Sequence, residues 1–465
     1  MIPFLPRQIA SKAIVLYLIA LGAVTFLYFS HAMSLVYIVM GIVWVVGFFL
    51  LTSFCSKKWK EVPQKRFLTS LALTSAGVRL VWVVFSYFFY TAYTGIPFEF
   101  DAADSLGYWE DGVWLATLKW PEIIEYLSFK GVSDSGYLLY LTCLYKIIGP
   151  NIIVTRLLKV MWSTATVVLI YQLTKRNIGE EGARLAAIMA CFMPNLIVYC
   201  GLHLKETEML FLVIAFLERS DYLLRTKKYN VFTIAVPLLL LVSLFAFRTV
   251  LGVSGVIAFI SGLVFTNTSV VGRRKKVMIV GWAVAAAVAL GGGTIINEVE
   301  GAWEERSTNQ ETKRLSQTMR GNRWAKYSTG AVMAPMMFVM PFPTMVDVDE
   351  QYNQQILSGG NYVRNFLGGF VLLALYCALF VKKNWRDLSL LGAFVVAYLG
   401  IIAMSGFANS ERFLLPGLPL LLIIASYGIT LLNARYYRFI KIWYWIVPVM
   451  SIAWAFFKLG SRGLF

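Results

Sequence analysis

GYLLYLTCLYKIIG, residues 136–149, decides how this chain threads a membrane. The stretch is apolar, but it falls short of the roughly 20 residues that cross a bilayer core, and Lys146 interrupts it. If it crossed, Lys175, Arg176 and every later basic loop would alternate to the side opposite the first basic loop. If it lies along the surface, six basic loops share one side: KKWKEVPQKR at 57–66, KR at 175–176, RTKK at 225–228, RRKK at 273–276, KKNWR at 382–386 and ARYYRFIK at 434–441. Loops rich in Lys and Arg collect on the cytoplasmic side. Residues 94–150 therefore form one long outer loop, with 136–149 as a surface helix.

Composition fixes the class. Of 465 residues, 58% are hydrophobic and 14% charged, with mean hydropathy +0.68. A soluble chain carries nearer 25% charge. The pattern is that of an all-α polytopic membrane protein. Spans are expected near 13–30, 33–54, 68–92, 152–174, 182–200, 204–218, 231–247, 250–266, 277–296, 363–381, 388–405, 413–432 and 440–457, about 13 in all, with the N-terminus inside and the C-terminus outside. The expected units are an N-terminal hairpin (1–67), a core with the acidic outer loop 94–150 (68–296), a polar outer helix with a Pro-rich element (297–362), and C-terminal spans (363–465). The net charge of +17 sits in the loops and serves topology, which argues against nucleic acid as a partner. The five cysteines are scattered, with no CxxC or Cys/His cluster, so neither a disulfide framework nor a zinc site is expected. MIPFLPRQIASK and the run after it look superficially like a signal peptide. Further spans follow at once without a convincing cleavage site, and a retained first span is expected.

The outer loop is acidic where the basic loops are not. FEFDAADSLGYWEDG, residues 98–112, holds Glu99, Asp101, Asp104, Glu110 and Asp111. ADSLGYWEDGVWLATLKW and PEIIEYLSF read as amphipathic helices, with Trp109, Trp114 and Trp120 suited to the membrane interface. A second outer segment, 297–330, contains EVEGAWEERSTNQETKRL, a helix pattern with acids early and bases late. GAVMAPMMFVMPFPTM at 330–345 is broken by Pro335, Pro341 and Pro343, so a re-entrant or surface element is expected there.

Three groups are candidates for chemistry. Asp101 and Asp104 lie three apart, share a helical face at the membrane boundary, and either serve as a general base or cap a surface helix. GLHLKETEMLF, residues 201–211, places His203, Lys205, Glu206 and Glu208 at the outer start of a span, where ionisable groups commonly have a task. The plainer alternative is a turn with Lys205 and Glu208 paired at the surface. His203, one of two histidines, fits a hydrogen-bonded turn better than a metal site. Arg248, Arg364 and Arg412 stand at the outer boundary, either snorkelling to headgroups or offering planar forks to a lipid phosphate.

With these residues in place the chain resembles the GT-C superfamily of polytopic glycosyltransferases. The branch is that of the dolichyl-phosphate-mannose protein mannosyltransferases and the aminoarabinose transferase. The resemblance covers about residues 95–220. It rests on an acidic first outer loop after a span, then on GYLLYLTCLYKIIGPNIIVTRLLKVMWSTATVVLIYQLTKRNIGEEGARLAAIMACFMPNLIVYCGLHLKE: a surface helix, a Gly-containing turn, Arg-Leu early in the next span, Tyr near its end, a basic turn and Pro. NSERFLLPGLP at 409–419 fits weakly. Two features depart from the pattern: the acids are Asp101-Ala-Ala-Asp104 rather than adjacent Asp-Glu, and the loop follows the third expected span rather than the first. Which Asp is the base is thereby left open.

The resemblance implies inverting transfer of a sugar from a polyprenyl-phosphate donor to a hydroxyl of an envelope glycan, lipid or protein. Asp101 would take the acceptor proton, and Asp104 would orient the acceptor or help hold a divalent metal. Lys205, Arg248 and Arg412 would meet the lipid phosphate, with His203 and Arg364 nearby and Glu206 orienting the sugar or Lys205. A bacterial inner membrane, with the site facing the periplasm, is expected. Two alternatives remain. A polymerase or ligase with a diphosphate-linked donor would use the late loop at 297–330, which has no His. A lipid or glycan transporter would show repeats or mid-membrane charge, and neither is clear in the sequence.

Overall fold

The computed structural model describes residues 4–226, 230–265, 339–348, 351–403, 410–460 and 464. The expected span 277–296, the polar helix within 297–330 and the basic loop 273–276 lie outside them. Among the described residues the secondary structure is helical, apart from one isolated bridge between Ala32 and Val346.

Three long apolar helices open the chain: α1 (Arg7–Leu27), α2 (Leu35–Lys58) and α3 (Gln64–Thr94). Gly95, with φ +78°, ends α3 in the left-handed cap that glycine adopts without strain. Three amphipathic helices follow: α4 (Ala103–Thr117), α5 (Trp120–Lys130) and α6 (Val132–Ile148). Lys146, which breaks the apolar pattern of α6, donates to the carbonyls of Ala116 at 3.0 Å and Leu118 at 2.6 Å. It thus closes the orphan C-terminal carbonyls of α4 and fastens α6 to the helix before it.

α7 (Ile152–Asn177) starts at Asn151, whose side chain accepts from the backbone N–H groups of Ile153 and Val154. α8 (Glu180–Phe192) and α9 (Pro194–Val198) form a pair bent by 54°, with Pro194 at the break. α10 (Glu206–Arg225), α11 (Val231–Phe247) and α12 (Thr249–Phe265) complete the first part. Beyond residue 338 come α13 (Tyr352–Ile356), α14 (Ser358–Tyr376), α15 (Ser389–Ala403), α16 (Glu411–Leu414), α17 (Leu418–Thr430) and α18 (Ala434–Gly460).

Eight described segments are long and apolar enough to cross a membrane, and nine if the bent α8–α9 pair counts as one. The protein is an α-helical integral membrane protein. The other expected spans differ in kind. α10 carries Glu206, Glu208, Glu218, Arg219, Asp221 and Arg225, while α11 and α12 have 17 residues each. The described part of the Pro-rich element, 339–345, is non-helical and buried.

Side chains tie the basic loops into one end of the bundle. Arg184 donates to the carbonyls of Trp59, Lys60 and Val62, Lys175 to Gln64, and Arg225 to Asn177 and to the Asp387 carbonyl. The ends of α3 and α11 and the starts of α7, α10, α12 and α14 reach the other end, where α4–α6 lie.

Candidate active site

The site begins where Gly95 turns the chain out of α3. Asp101 sits in the left-handed region, φ +50°, which Asp tolerates better than most residues. Two hydrogen bonds hold this backbone: Ala103 N–H donates to the Asp101 carbonyl at 2.9 Å, and Asn353 Nδ2 donates to the Phe100 carbonyl at 2.6 Å. Asp101 itself is exposed and faces a cavity. Asp104 follows in the first turn of α4.

A row of alternating charges runs inward from Asp104. Arg412 donates through Nη1 to Asp104 Oδ2 and through Nε to Glu206 Oε1. Arg248 Nη2 stands 3.9 Å from that same Glu206 oxygen, and its guanidinium lies 4.4 Å from the centre of the Phe413 ring. The Asp104 side chain is 62% exposed, that of Arg412 18%, and Glu206 is fully buried. Glu206 opens α10, where the helix dipole favours an anion, and its second oxygen has no hydrogen-bond partner.

Two more carboxylates line the cavity, which has a volume of about 330 Å³. Glu99 is 6% exposed and accepts from Ser105 Oγ. Burial pushes its carboxyl above the usual carboxylate range, against the opposing pull of Ser105, Arg156 and Arg412. Glu411 accepts from Asn361 Nδ2, and Asn361 Oδ1 accepts in turn from Asn195 Nδ2 at 3.1 Å. The amides of Asn353 and Gln354, on α13, form another wall.

Of the residues expected from sequence, Asp101, Asp104 and Arg412 meet at the cavity, with Glu206 and Arg248 behind them. Three others stand off it. Lys205 donates to the Phe247 carbonyl at 3.1 Å and lies over the Tyr108 ring. His203 is fully buried among the rings of Phe98, Trp109, Tyr137 and Tyr145, 3.2 Å from the Tyr145 hydroxyl. Burial holds its imidazole well below the usual value, and its place among these rings keeps it off the cavity. Arg364 is buried within α14 and faces Glu411 electrostatically. The surface pair of Lys205 with Glu208 is not formed. Glu208 instead pairs with Lys159 at 2.7 Å in the interior, because α7 packs along α10 and brings a second cation closer.

Sequence reasoning assigned no role to Glu99 and missed Glu411 and the two amides. Glu411 adjoins Arg412 in NSERF and so carried a signal; the amides carried none. Among the described residues no three His, Cys, Asp or Glu side chains gather as a metal-ligand set, and Asp104, the residue considered for a metal, is paired with Arg412. Chemically, the cavity combines a carboxylate free to accept a proton with arginine forks able to receive an oxyanion. Comparison with protein-family models and with curated proteins finds no match for this chain.

Proposed function

We propose that the protein is a membrane glycosyltransferase of GT-C type, moving a sugar from a polyprenyl-phosphate donor to an acceptor hydroxyl with inversion. The observation that carries this reading is Asp104 and Arg412 on the cavity wall beside Asp101, which has no ion pair among the described residues, with Glu206 and Arg248 continuing the row behind them. The lipid phosphate of the donor docks on Arg412, whose planar guanidinium suits two phosphate oxygens. Asp101 takes the proton of the acceptor hydroxyl as that oxygen attacks the anomeric carbon. The bond from that carbon to the phosphate oxygen breaks, and the lipid phosphate departs with the electron pair. Arg412 and Arg248 meet its growing charge. Asp104, whose oxygen is committed to Arg412, orients that guanidinium; Asp101 carries no ion pair and is the better base. No step is routed through a metal.

The same reading includes the topology. α10, α11 and α12 cross as well, because each links the basic end to the cavity end, and with residues 277–296 the spans number about 13. The positive-inside rule then directs the cavity outward, to the periplasm of a bacterial inner membrane.

The test is release of polyprenyl phosphate by the purified protein, given a panel of polyprenyl-phosphate sugars and an extract of envelope glycans, lipids and proteins. Acceptor-dependent release is expected, and Asp101→Asn should lower it by about 10²–10⁴-fold with an unchanged melting temperature. No release from any monophosphate donor, in a preparation active on diphosphate-linked donors, would favour the polymerase or ligase.

A further inference from the structure

Asn353 and Gln354 stand side by side on the cavity wall, and their partners dictate which way each amide points. Lys458 Nζ lies 2.7 Å from Gln354 Oε1. An ammonium only donates, so the oxygen of Gln354 must face it. The group left for the cavity is the NH2, a double donor. Asn353 is fixed in the opposite sense. The Phe100 carbonyl at 2.6 Å only accepts, so Nδ2 must face that carbonyl and Oδ1 is left over. That Oδ1 is buried and has no hydrogen-bond partner among the described residues.

Both anchors are firm. Lys458 is buried near the end of α18 and also donates to Thr344 Oγ1 at 2.5 Å and to Gln351 Oε1 at 2.7 Å. Phe100 packs its ring 5.1 Å from that of Tyr352, the residue before Asn353, and is itself the residue before Asp101. The elements thus leave one fixed acceptor and one fixed donor on consecutive residues of the lining that also holds Asp101 and Asp104. An unpaired buried acceptor costs free energy until a partner arrives.

We propose that Asn353 and Gln354 form a hydroxyl-reading subsite for the sugar ring of the donor, set in orientation by Phe100 and Lys458. A sugar hydroxyl is the complementary group, because it donates its hydrogen to Asn353 Oδ1 while its lone pair accepts from Gln354 Nε2. A site of this kind rejects the analogue lacking that hydroxyl, because Asn353 Oδ1 then stays buried and unpaired. The subsite accordingly makes the enzyme selective for one hydroxylated ring position. This inference rests on the proposed glycosyl transfer and names what its sugar must carry.

The experiment compares each productive polyprenyl-phosphate sugar with its single-deoxy analogues in the release assay. In the wild type one deoxy position should lose at least about 10²-fold in kcat/KM. Gln354→Glu keeps a partner for Lys458, and so the fold, but removes the NH2. It should shrink that ratio to less than about tenfold by slowing the hydroxylated sugar, not by rescuing the deoxy one. Lys458→Met should shrink it too, because the amide then turns freely. Wild-type release with no deoxy position discriminated, or discrimination unchanged in Gln354→Glu, overturns the subsite while leaving the transferase standing. Absence of release from every donor overturns the transferase and the subsite together.

Discussion

At the basic end of the bundle, Arg176 reaches Glu218 at 2.8 Å and Asp221 at 2.7 Å, Asp221 holds Arg225 at 2.7 Å, and Arg225 continues to Asn177 and the Asp387 carbonyl. At the cavity end, Arg412 likewise bridges two carboxylates, Asp104 and Glu206. The difference lies in what each set leaves over. The basic-end network joins α7, α10 and the loop before α15 and ends on main-chain or amide oxygens, with the second Glu218 oxygen ion-paired to Arg219 at 2.7 Å although it has no hydrogen bond. The cavity-end row stops at open space, with Asp101 unpaired and the second oxygens of Glu99 and Glu206 without partners. A network that consumes its own donors and acceptors holds helices together. One that keeps a surplus beside a cavity is built to receive something.

Mutations can break this contrast from either side. The largest effect is expected from Arg412→Ala, which strands buried Glu206 and should cost about 3–5 kcal/mol of stability, measured as denaturant resistance in detergent. Arg412→Lys, which keeps the charge and loses the fork, should raise the KM for the lipid donor about tenfold, roughly 1.4 kcal/mol, and leave the acceptor KM unchanged. An equal rise in both would count against a phosphate role. Arg176→Ala should behave oppositely: about 1–3 kcal/mol less stability, below the full cost of a buried pair because Arg176 is partly exposed, with kcat of the folded fraction intact. A fall in kcat without a fall in stability would erase the distinction between the two ends.

The smallest effect concerns pH. Glu99 in the folded protein holds its proton more tightly than in the unfolded chain, because burial raises its carboxyl. Folding therefore binds a proton between the ordinary carboxylate range and the raised value, and stability contributed by Glu99 is lost as pH rises through that window. Glu99→Gln should flatten this part of the melting-temperature profile. A slope unchanged in the variant would assign it to another group.

Much of this was legible in the sequence. The long apolar runs, the short helix over 136–149 and the loops that gather Lys and Arg all follow from length and periodicity. Asp104, Glu206, Arg248 and Arg412 stood out because charge beside an apolar run is costly and so conspicuous. Asn353 and Gln354 carry no charge and interrupt no pattern. Their position depends on a contact with Phe100 across 253 residues and on a lysine at the far end of α18. Glu99 was hidden differently, since nothing local distinguishes a carboxylate buried under Ser105 from one in water. His203 and Lys205 misled because proximity in sequence to Glu206 is not proximity to the cavity: the turn at 202–205 points them into the aromatic packing of α4 and α6.

The opening hairpin has a consequence for how the molecule is made. α1 packs on α18 and α2 on α14, with Tyr362 donating to the Ala13 carbonyl at 2.8 Å. At Gly359 an added Cβ would come within 2.6 Å of the Gly41 carbonyl, so the contact is close. At synthesis rates of about 5–20 residues per second, those partners emerge on the order of tens of seconds after the hairpin. Until then α1 and α2 have only each other and the earlier helices α3 and α8 as partners and expose the remaining faces to lipid, for which their hydropathies of 2.0 and 2.5 equip them. The segment Glu411–Thr430, which ends in α17, is a late arrival and 89% buried, entering a slot whose walls were synthesised before it. The order of the chain is in this sense also an assembly schedule: an apolar hairpin comes early, and the segment that carries Arg412 to the cavity comes near the end.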